Sequence, residues 1–128
     1  MASPTSAGRR RGFTLVELLV VLAILALLMT IVAPRFFRSI DVSKETVLKE
    51  NLYLTRSVID KFYGDNGRYP RSLAELVERN YLRAIPLDPV TGSSATWILV
   101  PPSVGAGVFD LRSGAAGVTR AGLPFQHL

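Results

Sequence analysis

The chain has no cysteine and one histidine, His127, next to last among its 128 residues. Without cysteine there can be no disulfide and no thiolate metal site, although a domain outside the cytoplasm could have used a disulfide to brace a small core. A lone histidine beside the chain end reads as a solvated side chain rather than as a base or a ligand. Gly105-Ala106-Gly107 lacks the third glycine and the following helix of a dinucleotide fingerprint, so no phosphate loop is expected. Acids are scarce late in the chain, where Asp110 is the only one after Asp88. A calcium loop needs several clustered oxygen ligands, and that cluster is missing. Catalysis and metal chemistry find no foothold, and a non-enzymatic role is expected.

The formal charge of +5 suggests nucleic acid at first sight, but Arg9, Arg10 and Arg11 supply three of those charges. From Phe13 onward twelve Lys and Arg face ten Asp and Glu, a net +2. These charges are scattered, so the footprint of a nucleic-acid binder is absent.

What the chain does have is an apolar run. From Phe13 to Ala33 the only charge is Glu17, and the only other polar side chains are Thr14 and Thr30. As a helix the run is long enough to cross a bilayer. The arginines before it keep that end in the cytoplasm by the positive-inside rule, which places everything after Pro34 outside. A secretory signal would carry its cleavage site after a shorter apolar stretch; here the cut site lies before the run, at Gly12.

Glu17 has two readings. A carboxylate in a span costs about 2.5–3.5 kcal/mol at the bilayer centre, less near the interface, and so marks function. The local alternative is a capping box, Thr14-Leu15-Val16-Glu17, in which Glu17 reaches back to the Thr14 N–H.

The run Arg11-Gly12-Phe13-Thr14-Leu15-Val16-Glu17 resembles the processing motif of the type IV pilin superfamily, which includes the pseudopilins of type II secretion. The resemblance implies that a prepilin peptidase cleaves between Gly12 and Phe13, that Phe13 is then N-methylated, and that Glu17 is needed for assembly. In that reading Glu17 pairs with the new amino group of Phe13 on a neighbouring subunit.

Pro34 ends the apolar run and predicts a kink or local melting; the resemblance implies that loosening there accompanies assembly. From Arg35 to Tyr63 there is no glycine or proline, and Leu48, Leu52, Ile59 and Phe62 fall at helical spacing. Lys44, Glu45, Lys49, Glu50, Arg56, Asp60 and Lys61 are expected on a solvated face. A helix from Phe13 to Tyr63 would be about 76 Å long.

Gly64-Asp65-Asn66-Gly67 is expected to stop that helix. Phe62-Tyr63-Gly64-Asp65-Asn66-Gly67-Arg68-Tyr69-Pro70 is similar to the segment after the long helix in major pseudopilins. Ser72-Leu73-Ala74-Glu75 reads as a capping box opening a short helix over 73–80. The proline-rich loop Ile85–Gly92 resembles the pseudopilin segment in which a proline-flanked aspartate, here Asp88, leads into the sheet. Strands are expected over 96–100 and 108–111, the second within Phe109–Gly114, which resembles the last pseudopilin strand. The tail after Gly114 is expected to wrap loosely.

The expected organisation is therefore a basic leader over 1–12, a transmembrane helix half over 13–34 and a periplasmic domain over 35–128. The fold class is α+β, with a long helix on a small antiparallel sheet about 96–111. The resemblance implies a structural subunit of a type II secretion pseudopilus, anchored in the inner membrane. Its expected partners are copies of itself, other pseudopilins, the prepilin peptidase and the inner-membrane secretion platform. Many type IVa pilins close a C-terminal loop with a disulfide, so the missing cysteines favour a pseudopilin. Major pseudopilins often bind calcium through C-terminal aspartates, and that site does not transfer to this chain. The alternatives are a pilin of a type IV or DNA-uptake pilus, and, from another class, a membrane-anchored ligand-binding or enzymatic domain.

Gly12 offers the peptidase no Cβ, and Gly12→Val is expected to leave uncut precursor in the membrane. A variant migrating as the mature form on a gel would disprove this cleavage site.

Overall fold

The computed structural model describes residues 2–4 and 12–128. Arg9, Arg10 and Arg11, with most of the expected leader over 1–12, lie outside the described residues. The chain divides into two compact units, Met1–Arg38 and Ser39–Leu128.

Helix α1 covers Leu15–Asn66, 52 residues, and belongs to both units. In the first unit every residue from Leu15 to Val32 is exposed, as expected of an apolar helix with no protein partner around it. The Thr30 hydroxyl donates to the Ala26 carbonyl at 2.9 Å, so this polar group is satisfied within its own helix. The expected loosening at Pro34 does not break α1, which stays helical on both sides. Proline removes only the bond that its own N–H would make to the Thr30 carbonyl.

In the second unit α1 becomes one-sided. Leu48, Leu52, Ile59 and Phe62 are buried on one stripe and form a core with Leu73, Leu76, Trp97, Val108 and Leu111. Each such side chain contributes about 1.5–3 kcal/mol through burial. Thr55 lies on the same stripe, fully buried, and its hydroxyl donates to the Asn51 carbonyl at 2.7 Å.

The helix runs past the expected stop. Gly64 is tolerated inside it, at about 1 kcal/mol relative to alanine, and the end comes at Asn66. Gly67, at φ 68°, donates its N–H to the Tyr63 carbonyl at 2.8 Å and closes the helix as a left-handed cap. Tyr81 holds the added residues from outside: its hydroxyl donates to Asp65 Oδ2 at 2.8 Å and accepts from Asn66 Nδ2 at 3.2 Å.

Helix α2 covers Leu73–Glu78, shorter than the expected 73–80, because Asn80 turns left-handed at φ 61°. Half of the expected capping box forms, with Glu75 N–H donating to Ser72 Oγ at 3.3 Å. The Glu75 carboxylate is drawn elsewhere: it accepts from Arg71 N–H at 2.6 Å and from Arg68 Nη2 at 2.6 Å. Arg68 also lies over the Phe62 ring, 5.2 Å from its centroid. The Arg-Tyr-Pro turn is thereby stapled to both helices.

Strands β1 (Ile98–Val100) and β2 (Asp110–Arg112) pair antiparallel, with Leu99 opposite Leu111. They are shorter than 96–100, and the second is shifted from 108–111, because tertiary contacts claim the flanking residues. Trp97 Nε1 donates to the Pro86 carbonyl at 2.8 Å, and Val108 N–H to the Pro70 carbonyl at 2.8 Å. The tail is not loose. Thr119 N–H donates to the Leu123 carbonyl at 2.7 Å, Arg120 N–H to Glu45 Oε2 at 3.2 Å, and a 3-10 turn follows at Phe125–His127.

Arg68, with the Arg71 N–H, holds the Glu75 carboxyl down to about 2, against an ordinary 4.5. A depressed carboxyl stabilises the fold above its unfolded value, and that contribution is lost as pH falls from about 4.5 towards 2. Glu75→Gln is expected to lower the melting temperature at pH 7, and the gap from wild type should narrow by pH 3. The fluorescence of Trp97, the one tryptophan, in detergent-solubilised full-length chain reads this. A gap independent of pH would rule out the ion pair as the source.

Candidate functional site

The residues singled out by sequence for processing and assembly are Gly12, Phe13, Glu17 and Pro34. Gly12 and Phe13 precede the first turn of α1, and Phe13 is 87 % exposed. A Cβ added at Gly12 would meet nothing within 4 Å. The chain's own packing places no limit on bulk there.

Thr14 and Glu17 form the reciprocal capping box. Glu17 N–H donates to Thr14 Oγ1 at 3.1 Å, and Thr14 N–H donates to Glu17 Oε2 at 3.4 Å. The second bond is long for an N–H to oxygen contact, so the carboxylate is held weakly and stays exposed. Both readings of Glu17 therefore remain compatible in one molecule: a cap within its own helix, and an anion available to another group. Pro34 lies farther along α1, and the structure does not bring it to the other three.

A second set of polar residues escaped the sequence reading. Arg56, expected on the solvated face, instead ties three parts of the second unit together. Its Nε donates to Asp110 Oδ1 at 2.6 Å, and its Nη2 donates to the carbonyls of Leu111 and Leu128 at 3.0 and 2.8 Å. Asp88 is fully buried, and its carboxylate accepts from Val90 N–H at 2.8 Å, Thr91 N–H at 3.3 Å and Ser113 Oγ at 2.5 Å. Leaving a buried donor without its acceptor costs about 1–3 kcal/mol, so Asp88 works as an internal staple. The one sequence signal for Asp88 was its flanking prolines; Arg56 had none, because its partner lies 54 residues away.

An open polar hollow of about 520 Å³ is lined by Arg56, Asp110, Arg112, His127 and Leu128. Arg56 and Asp110 already satisfy each other there, and His127 is exposed. Among the described residues no group of three or more His, Cys, Asp or Glu could hold a metal ion.

Known proteins resemble the chain at both scales. Residues 8–33 match the family model described as the prokaryotic N-terminal methylation motif. The type II secretion system core protein G of Pseudomonas aeruginosa is 31% identical over 97 residues, covering 63% of this chain and 68% of that protein. The chain belongs to the type II secretion core protein G family. The Klebsiella michiganensis core protein G is 28% identical over 125 residues, covering 85% of this chain and 86% of that protein. The type IV major pilin protein PilA of Myxococcus xanthus is 38% identical over 61 residues, 48% of this chain and 28% of that pilin. No solved structure matches the chain. A long N-terminal helix whose second half packs with a small two-stranded antiparallel sheet is the α+β pilin-like arrangement, and in this family the apolar first half fits an inner-membrane anchor.

Proposed function

We propose that this chain, a structural subunit of the type II secretion pseudopilus, is made as a precursor cut between Gly12 and Phe13 and methylated on Phe13. It waits in the inner membrane as a single-pass protein, with its N-terminus in the cytoplasm and residues 35–128 in the periplasm. Copies of it, with other pseudopilins, are then drawn from the membrane at the secretion platform. Their apolar helices bundle into a filament core, and growth of the filament pushes a secreted protein outward. Such a subunit acts by polymerising and carries no catalysis. Pro34 gives α1 the local freedom to adjust when it leaves the bilayer.

The observation that carries this reading is Glu17. It is the one charge of the apolar run, exposed on α1, and among the described residues its carboxylate is held by one contact of 3.4 Å. In the filament it exchanges that contact for the amino group of a neighbour's Phe13, and both charges are neutralised in an apolar bundle. The Myxococcus pilin favours a type IV pilus as the second reading; the core protein G relatives match far more of their own length.

Calcium is not required to hold the C-terminal segment. What supports this is that Asp110 is engaged by Arg56 and Asp88 by Ser113, which leaves no clustered oxygen ligands for the ion. The melting temperature of the full-length chain in detergent is expected to be the same in calcium and in chelator. A rise of several degrees with calcium would mean that a site exists.

Glu17→Leu makes the span more apolar, so membrane insertion and the Trp97 environment should be kept. Filament yield should collapse, because the Phe13 amine would be buried without a partner, at a cost of about 3–5 kcal/mol. Losing the cap alone would cost about 0.5–2 kcal/mol within one helix. The measurement is filament recovered from cells at matched membrane levels, and a wild-type yield from Glu17→Leu would refute the pairing.

A further inference from the structure

The second unit carries two exposed apolar features on different surfaces. One is the loop that joins β1 to β2. It has no charge from Pro101 to Phe109, and Val104 near its tip is 87 % exposed. The root of the loop is fixed. Val108 N–H donates to the Pro70 carbonyl at 2.8 Å, and a Cβ on Gly107, at φ 120°, would come within 2.9 Å of that same oxygen. Only glycine permits this approach. The loop is thereby pinned just beyond the end of α1, with Val104 standing clear.

The other feature is an open cavity of about 320 Å³ whose apolar lining comes from Val90, Val118 and Phe125. It sits against the Asp41–Glu45 stretch of α1. Glu45 and Asn66 are 21 residues apart on this helix, about 32 Å at 1.5 Å per residue. Knob and socket are therefore at opposite ends of the same unit and cannot meet within one chain.

We propose that the Val104 loop of one copy seats in the Val90, Val118 and Phe125 cavity of the next, making a head-to-tail contact between domains along the filament. This rests on the filament reading and adds to it a second contact, remote from Glu17. A knob on one surface and its socket on another make a heterologous interface, which propagates as an open chain instead of closing into a dimer. The charges suit this occupant. The charged residues of the lining, Asp41 and Glu45 against Lys44 and Arg120, balance two and two, and Glu45 already accepts from Lys49 at 2.9 Å and from Arg120 N–H at 3.2 Å, so the cavity offers no net charge for an ionic partner and an uncharged loop suits its apolar part. The size suits it as well. One loop buries far less than the about 1,200 Å² of a stable free complex, so the contact matters only between copies already held together, as anchored neighbours in a filament are.

The absence of cysteine makes the test direct. Full-length Val104→Cys, Val118→Cys and the double variant are assembled in cells, and sheared filaments are oxidised with copper phenanthroline. The double variant is expected to give a ladder of dimers, trimers and higher species on a non-reducing gel. Each single variant should stay monomeric, and the two co-expressed should give dimers only. Val104→Asp should lower filament yield about tenfold while the Trp97 melting transition stays unchanged. Filaments of the double variant without a ladder would overturn the contact, as would a wild-type yield from Val104→Asp. If the double variant does not assemble, the co-expressed single variants decide, dimers supporting the contact and monomers alone refuting it. If the unmodified chain forms no filaments, the filament reading fails first and this contact falls with it.

Discussion

The stripe of Leu48, Leu52, Ile59 and Phe62 on α1 is the surface on which residues 67–128 depend. Those residues form only a six-residue helix, two three-residue strands and a single 3-10 turn. A helix that short does not persist alone in water, and neither does an isolated hairpin. Helix α2 and strand β2 become stable by covering part of the stripe with Leu73, Leu76 and Leu111, the 3-10 turn by packing Phe125 against that core, and β1 by pairing with β2. The resulting core is small for its surface, and there is no disulfide to limit the unfolded chain. Hydrogen-bonded charges brace the folded state instead: Glu75 joins the turn after α1 to α2, Asp88 closes the proline loop onto Ser113, and Arg56 secures β2 and Leu128.

The first unit obeys a different constraint. Its helix is apolar all round and exposed from Leu15 to Val32 among the described residues of that unit, so its stability depends on hydrocarbon or on other helices. In that setting backbone bonds and the Thr30 hydroxyl are satisfied internally, which leaves Glu17 as the group whose partner can change. A subunit that moves from lipid into a helical bundle keeps its apolar surface covered throughout.

Much of this was legible in the residues. The apolar run, the buried stripe and Ser72 as the N-cap of α2 depend on periodicity and local bonding, which sequence spacing carries directly. The reciprocal bonds of Thr14 and Glu17 were equally local. Errors gathered where a distant group competed with a local preference. Gly64 belongs to a turn cluster, yet Tyr81 reaches across to hold Asp65 and Asn66 and the helix continues. Glu75 has the spacing of a capping box, yet Arg68 takes its carboxylate.

The sequence by itself determined the apolar helix, the N-terminal methylation motif and the class of fold, because each rests on neighbours within one or two helical turns. Only the tertiary structure decided that Arg56 pairs with Asp110, that Asp88 is buried against Ser113, and that Val104 and the cavity of Val90, Val118 and Phe125 lie at opposite ends of one unit. The two hydrogen-bonded pairings join residues 25 and 54 positions apart. Chain spacing carries no information about which of many scattered charges will meet, since that depends on how the loops close over the α1 stripe.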